Sequence, residues 1–234
     1  MEPLSTVIVA ERVAEAAVVK EIAAPSIELA EVAIDESMIT RLNEILDQQE
    51  YKKLGEFREL SQTNPEAIPA AFNDINVKGQ AGEAIMEANL SQYGQVEKQI
   101  PVRLEGADTG NIIDLRLAES NSNVRITELI AEDGQIVANH NYDILKGDSA
   151  SFEVKNGGVQ YLRQEVINGE LLQQIKAGKE ISDHSFVIIN EDTARQLMSS
   201  PELAEDTIRR IEEAGGKLVV GLPEQAVQMA VFMS

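Results

Sequence analysis

Two short, uninterrupted apolar runs near the C-terminus, residues 186–189 (FVII) and 218–221 (LVVG), limit the fold more than any other feature. Runs this short, without polar alternation, suit strands covered on both faces, as in parallel sheets flanked by helices. Between them, residues 192–197 read as a short helix. Residues 201–214 read as a longer one, with Pro201 at its start and Gly215-Gly216 closing it. Two buried strands joined by a helical connection imply a parallel pair with a right-handed crossover. The expected fold class is therefore α/β.

Upstream, the period shifts along the chain. Residues 76–93 open on a glycine-punctuated turn and continue as a helix with Ala84, Ile85, Ala88 and Leu90 on its apolar side. Residues 96–104 read as a strand, 106–110 (GADTG) as a turn, and 112–117 (IIDLRL) as a short strand with period-2 alternation. Residues 124–130 read as a strand that Glu132-Asp133-Gly134 turns back into a hairpin with 135–138. Residues 151–155 (SFEVK) form another short strand, ended by Asn156-Gly157-Gly158, and 161–177 read as one helix.

The first 70 residues are different in character. Residues 5–10 read as a short strand or first helical turns, 12–23 as helix, and 27–34 as helix capped by Ser26. Asp35-Glu36-Ser37 offers a cap for a helix over 38–60, and 61–65 is a loop. This stretch carries 14 acidic and 6 basic residues and no chemical motif. It reads as an N-terminal helical segment, an adaptor or cap, ahead of a domain over 71–234.

Three features in that domain carry chemistry: Glu83 in the early helix, Asp114 in an apolar strand, and the Glu153-Val154-Lys155 triplet in the next apolar strand. Residues i and i+2 of a strand share a face, so Glu153 and Lys155 project together, with Phe152 and Val154 on the other side. If the two strands are neighbours, Asp114 and Glu153 meet across them. Paired carboxylates are the hard oxygen ligands that Mg²⁺ or Mn²⁺ takes, and a lysine alongside can hold a water or neutralise charge developing on phosphorus.

The residues Lys78-Gly79-Gln80-Ala81-Gly82-Glu83, Ile112-Ile113-Asp114 and Phe152-Glu153-Val154-Lys155 resemble the PD-(D/E)xK nuclease superfamily over about 150 residues. The resemblance implies a mixed central sheet flanked by helices, a restriction-endonuclease-like αβββαβ core. It implies Asp114 and Glu153 as ligands of Mg²⁺ (or Mn²⁺), the Val154 carbonyl as a further ligand, Lys155 positioning the attacking water, and Glu83 assisting through a water or second metal. It also implies a glutamine in the following helix, assigned here to Gln164, with Gln160 as the alternative. The KGQAGE opening is similar to the polymorphic, contact-dependent bacterial toxin branch. That likeness implies a nucleic-acid substrate, DNA or RNA, a cognate immunity protein, and a cytoplasmic site of action reached without a cleavable signal. No proline stands near Asp114, and the long stretch from Asp114 to Glu153 requires an inserted hairpin or loop.

Composition sets limits on this reading. The net charge is -20, and residues 71–234 alone hold 26 acidic and 14 basic residues; a protein that grips duplex DNA through phosphates carries a basic footprint. Three accounts stay open: basic residues (Lys78, Arg116, Lys155, Arg163, Lys176) gathered at the cleft, a bound metal supplying local positive charge, or a non-catalytic binding or assembly protein on a nuclease-like scaffold. There is no cysteine, which excludes disulfides and thiolate metal sites. No run of about 18 apolar residues predicts a membrane span, and the acidic start Met1-Glu2-Pro3 is unlike a secretory signal. His140 and His184 read as surface or capping residues, Asp143 and Asp148 as loop turns, and Gly157-Gly158 as a turn.

Overall fold

The computed structural model describes Val32, residues 34–106 and residues 110–233. The elements expected at residues 5–10 and 12–23 lie outside the described residues, as does most of the one expected at 27–34.

The described chain opens with helices α1 (Glu36–Asp47), α2 (Lys52–Thr63), α3 (Ile68–Phe72) and α4 (Ile75–Leu90). Strands β1 (Val96–Val102), β2 (Asn111–Leu117), β3 (Val124–Glu132), β4 (Gln135–Ile144) and β5 (Ala150–Lys155) follow. Then come α5 (Val159–Asn168), α6 (Glu170–Ile181), β6 (His184–Asn190), α7 (Glu191–Met198), α8 (Pro201–Glu213), β7 (Lys217–Leu222) and α9 (Gln225–Met233).

The seven strands among the described residues belong to one mixed sheet in the order β1-β2-β5-β6-β7-β3-β4. β1 and β2 are antiparallel, as are β2 and β5, while β5, β6 and β7 are mutually parallel. The FVII and LVVG runs thus form the expected parallel pair. The hairpin between Asp114 and Glu153 does not sit between their strands. It crosses to the far edge, where Thr127 and Glu128 pair antiparallel with Val220 and Val219. β2 and β5 remain neighbours because the insertion finds its hydrogen-bond partner on the other side of β7. Asp133 (φ 49) and Gly134 (φ 73) make its turn, the two left-handed residues that a tight hairpin following strand twist requires.

Both faces of the sheet are covered. One face, with Leu115, Leu117, Phe152, Val154, Phe186, Ile188 and Val219, packs into an apolar core with α1–α4 and α9. The other, with Val187, Ile189, Leu218 and Val220, packs against α5–α8. Residues 36–72 are part of the first core: Met38, Leu42, Leu54, Phe57 and Phe72 are buried in the same cluster as Phe152 and Phe186. α2 even takes its N-terminal cap from α4, since Gln80 Oε1 accepts from the amides of Lys53 at 2.8 Å and Leu54 at 3.1 Å. Those amides have no partner within their own helix. Among the described residues, 36–72 therefore share their core with the sheet.

Three local expectations change. The helix expected over 38–60 divides at Gln49, whose φ of 57 breaks the helical run; Asp35 caps its first half, accepting from the Met38 amide at 2.7 Å. Gly79 and Gly82 lie inside the continuous helix α4 instead of a turn. A Cβ on Gly82 would stand 2.9 Å from Asn156 Cβ and Val154 Cγ1, so the missing side chain lets α4 press against the end of β5. The helix expected over 161–177 divides at Gly169, which adopts φ 81 and ends α5 in the left-handed conformation. α9 has no counterpart in the sequence reading.

Candidate functional site

β2 and β5 pair through Leu115↔Phe152, Arg116↔Ser151 and Leu117↔Ala150. The next register position sets Asp114 beside Glu153, and residues opposite one another in an antiparallel pair share a face. Pairing stops there, and the strands part. The amide of Val154 is taken up by Asp114 itself, whose Oδ2 accepts it at 2.8 Å. This bond fixes the aspartate across the opening between the two strands.

Glu153 is 1% exposed. Neither of its carboxyl oxygens has a hydrogen-bond partner. Lys155 Nζ approaches Oε2 at 3.7 Å, an ion-pair distance beyond hydrogen-bond range. Burial and then the Asp114 charge push the Glu153 carboxyl well above its ordinary range. Asp114 is also raised, by burial, against the opposing pull of Lys155 and the Val154 amide. Glu83 comes from α4 and lies close enough to Asp114 to feel its charge. Its carboxyl is pushed up to about 7, chiefly by burial and by the Asp114 charge. Gln99 Nε2 donates to Glu83 Oε2 at 3.3 Å.

The whole of β5 is buried, so the Glu153–Lys155 face is covered by helices as fully as the Phe152–Val154 face. Lys155 enters a cage of acceptors: Gln174 Oε1 at 3.2 Å, Glu153 at 3.7 Å and Glu165 Oε2 at 3.9 Å. Burial works against its charge, but Glu153, Asp114, Tyr161 and Glu165 hold the ammonium above its ordinary pKa. Gln174 in turn donates Nε2 to the carbonyl of Ile112 at 3.2 Å, tying α6 to the strand that carries Asp114.

The structure thus brings Asp114, Glu153 and Lys155 together, with Glu83 adjoining Asp114. It does not bring Gln164 or Gln160, both of which are exposed on α5. The glutamine at the lysine is Gln174. The left-handed break at Gly169 turns the chain so that the second helix, not the first, presents a glutamine to Lys155. The sequence reading also missed Glu165 and Gln99. A signal existed for Glu165, which lies one helical turn beyond Tyr161; none existed for Gln99.

The neighbouring polar cluster is of another kind. Asn156 donates to the Lys78 carbonyl at 2.7 Å and to Gln228 Oε1 at 2.6 Å, while Asn190 and Gln228 both donate to its Oδ1 at 3.0 Å. These satisfied amides fix the chain immediately after Lys155. Gly157 completes the corner: a Cβ there would meet the Tyr161 ring at 2.6 Å. The two histidines lie elsewhere. His140 pairs with Glu128 at 3.0 Å, and His184 bridges Tyr142 at 3.0 Å and Asp148 at 2.9 Å. Asp143 is a strand residue of β4, not a loop turn, and pairs with Arg125 across the hairpin.

Among the described residues, no three His, Asp or Glu side chains form a group that could hold a metal ion. The donor set that fits a cation is narrower, the Asp114–Glu153 pair with two buried, unpartnered oxygens on Glu153. That is compatible with Mg²⁺, which keeps several waters and takes one or two carboxylates. Of the basic residues expected at the cleft, Arg116 is committed to Glu97 at 2.8 Å and to the Ile181 carbonyl at 3.0 Å. Among the described residues, no helix is long and apolar enough to cross a membrane. Comparison with family models, with curated proteins and with solved structures returns no match to the chain.

Proposed function

We propose that the chain is a metal-dependent phosphodiesterase, an endonuclease that hydrolyses DNA or RNA by water attack on phosphorus. The observation that carries this reading is Glu153, a buried carboxylate whose two oxygens lack partners, set beside Asp114 and Lys155 where β2 and β5 part. The order α4-β1-β2-β5-α6-β6, with the β3–β4 hairpin as an insertion, supports assignment to a restriction-endonuclease-like PD-(D/E)xK core.

Asp114, Glu153 and the Val154 carbonyl would hold Mg²⁺ or Mn²⁺. When bound, the cation supplies Lewis-acid polarisation of a phosphoryl oxygen. Lys155, steadied by Gln174, orients the attacking water and sets its positive charge beside the phosphate as negative charge grows there. Glu83, poised near neutrality, can take the proton that the water gives up. The KGQAGE stretch extends the proposal to a bacterial toxin or effector domain acting in the cytoplasm and restrained by an immunity protein.

Incubation of plasmid DNA and total RNA with the purified protein, with Mg²⁺, Mn²⁺ or chelator, tests the reading. Chelator-sensitive cleavage that Asp114→Ala and Lys155→Ala each reduce by about 100-fold or more supports it. Cleavage that survives both substitutions counts against it. The net charge of -20 and the commitment of Lys98 and Arg116 to internal carboxylates favour one other reading, a non-catalytic binding or assembly protein on the same scaffold. Absence of cleavage in every condition would support that second reading.

A further inference from the structure

Gln99 is the one strand residue outside a turn, among those described, that adopts a left-handed backbone without being glycine. Its φ is 48. Left-handed geometry in a long, unbranched side chain carries strain, and strain of this kind persists only where the surroundings enforce it. Its position is informative. β1 and β2 pair at Lys98↔Leu115 and Ile100↔Ile113, but the intervening position, Gln99 beside Asp114, is not paired. The backbone therefore departs from the strand at the residue next to the candidate metal-binding aspartate.

The departure lets the side chain reach the site. Its amide donates to Glu83 Oε2 at 3.3 Å and also bears on the Asp114 carboxyl. The Asp114 carboxyl lies close enough to Glu83 to oppose its ionisation, so the two need a donor between them when both are charged. The neighbouring cation on β1 is already used: Lys98 binds Glu87 at 2.9 Å and also Glu50. Glu87 is further held by the Tyr51 hydroxyl at 2.8 Å. Glu83 is thus left with Gln99 as its hydrogen-bond partner.

We infer that Gln99 is a positioning residue: its amide, brought in by the strained strand, bridges Glu83 and Asp114 and so holds Asp114 in place as a ligand for a divalent cation, with Glu83 beside it as proton acceptor. The inference rests on the cation-site reading above. A neutral donor suits this role, since a lysine or arginine there would compete with the cation for the same oxygens.

The test is Mn²⁺ binding measured by calorimetry on the full chain, with thermal unfolding in chelator recorded alongside. Gln99→Ala keeps the strained φ and removes the amide. Gln99→Gly removes the amide and relieves the strain. If the amide is the agent, both variants weaken Mn²⁺ binding by about 10-fold or more, the usual effect of losing a group that orients a metal ligand. In chelator, Gln99→Gly should melt at or above the temperature of Gln99→Ala. Wild-type affinity in both folded variants would overturn the inference and leave the cation site standing. A wild-type chain that binds no Mn²⁺ would overturn the site and the inference together.

Discussion

Two glutamates on the same sheet are equally buried and differently served. Glu128 and Glu153 are each 1% exposed. Glu128 on β3 meets Lys217 Nζ at 2.5 Å and His140 Nδ1 at 3.0 Å, so both of its oxygens are partnered. Glu153 on β5 has no hydrogen-bond partner, a lysine at 3.7 Å and an aspartate beside it. The fold satisfies one buried carboxyl fully and leaves the other in deficit, which is the contrast the proposed cation site explains. Burying a carboxyl without hydrogen-bond partners is among the more expensive things a fold does. On the proposed reading, the two sites separate structural from functional burial on this sheet.

Substituting each glutamate by its neutral isostere should break the symmetry of burial with opposite signs. Glu128→Gln removes a charge-assisted pair and should cost about 2 kcal/mol in urea unfolding at pH 7. Glu153→Gln should not destabilise the chain and should make it more stable than wild type at pH 8, because it copies the protonated form the folded chain prefers. It should also abolish Mn²⁺ binding, whereas Glu128→Gln should leave it intact. If Glu153→Gln destabilises the chain as much as Glu128→Gln does, the two sites are alike and the contrast fails.

The same contrast has a pH signature. Glu83, Asp114 and Glu153 all bind protons more tightly in the folded chain than unfolded. The folded state therefore holds protons that the unfolded state has released, and stability falls as pH rises through that interval. For Glu83 the interval runs from 4.5 to about 7. Without divalent cation, unfolding free energy measured at pH 5, 6, 7 and 8 should decline across the series. Glu83→Gln should make the decline shallower, and saturating Mn²⁺ should flatten it further, since a bound cation replaces the protons. A curve that rises over this range, or that Mn²⁺ leaves unchanged, would contradict the electrostatics assigned to the site.

How far the sequence reveals these features depends on the range of the interaction. Period-2 alternation in IIDLRL and the unbroken FVII and LVVG runs are local, and they place β2, β6 and β7 and the shared face of Glu153 and Lys155. Asp133-Gly134 likewise announces its turn through backbone preference alone. The destination of the β3–β4 hairpin is not local: it depends on β7 offering an open edge, which no window around residues 124–144 contains. Asn156, Asn190 and Gln228 are far apart in sequence and become one buried network only after α9 docks. Gln99 reads as an ordinary exposed strand residue, because its left-handed backbone is imposed by its neighbours and has no signature in residue type. The division at Gly169 was open to reading as a helix stop, but the apolar positions on either side of it continue a helical period across the break.

That division makes the smallest and most specific prediction. Gln164 and Gln174 are both glutamines on helices following the Glu-x-Lys strand, and sequence spacing favours the first. Geometry favours the second, which receives a hydrogen bond from Lys155 and gives one to the Ile112 carbonyl, two residues from Asp114. Gln174→Ala should release the lysine toward Glu165 and Glu153 and slow cleavage about 10-fold, with the loss in turnover rather than in substrate affinity. Gln164→Ala, on an exposed helix face, should leave both unchanged. Equal effects from the two substitutions would mean that the lysine is positioned by the general packing of the helices and not by the bond that Gln174 makes across to β2.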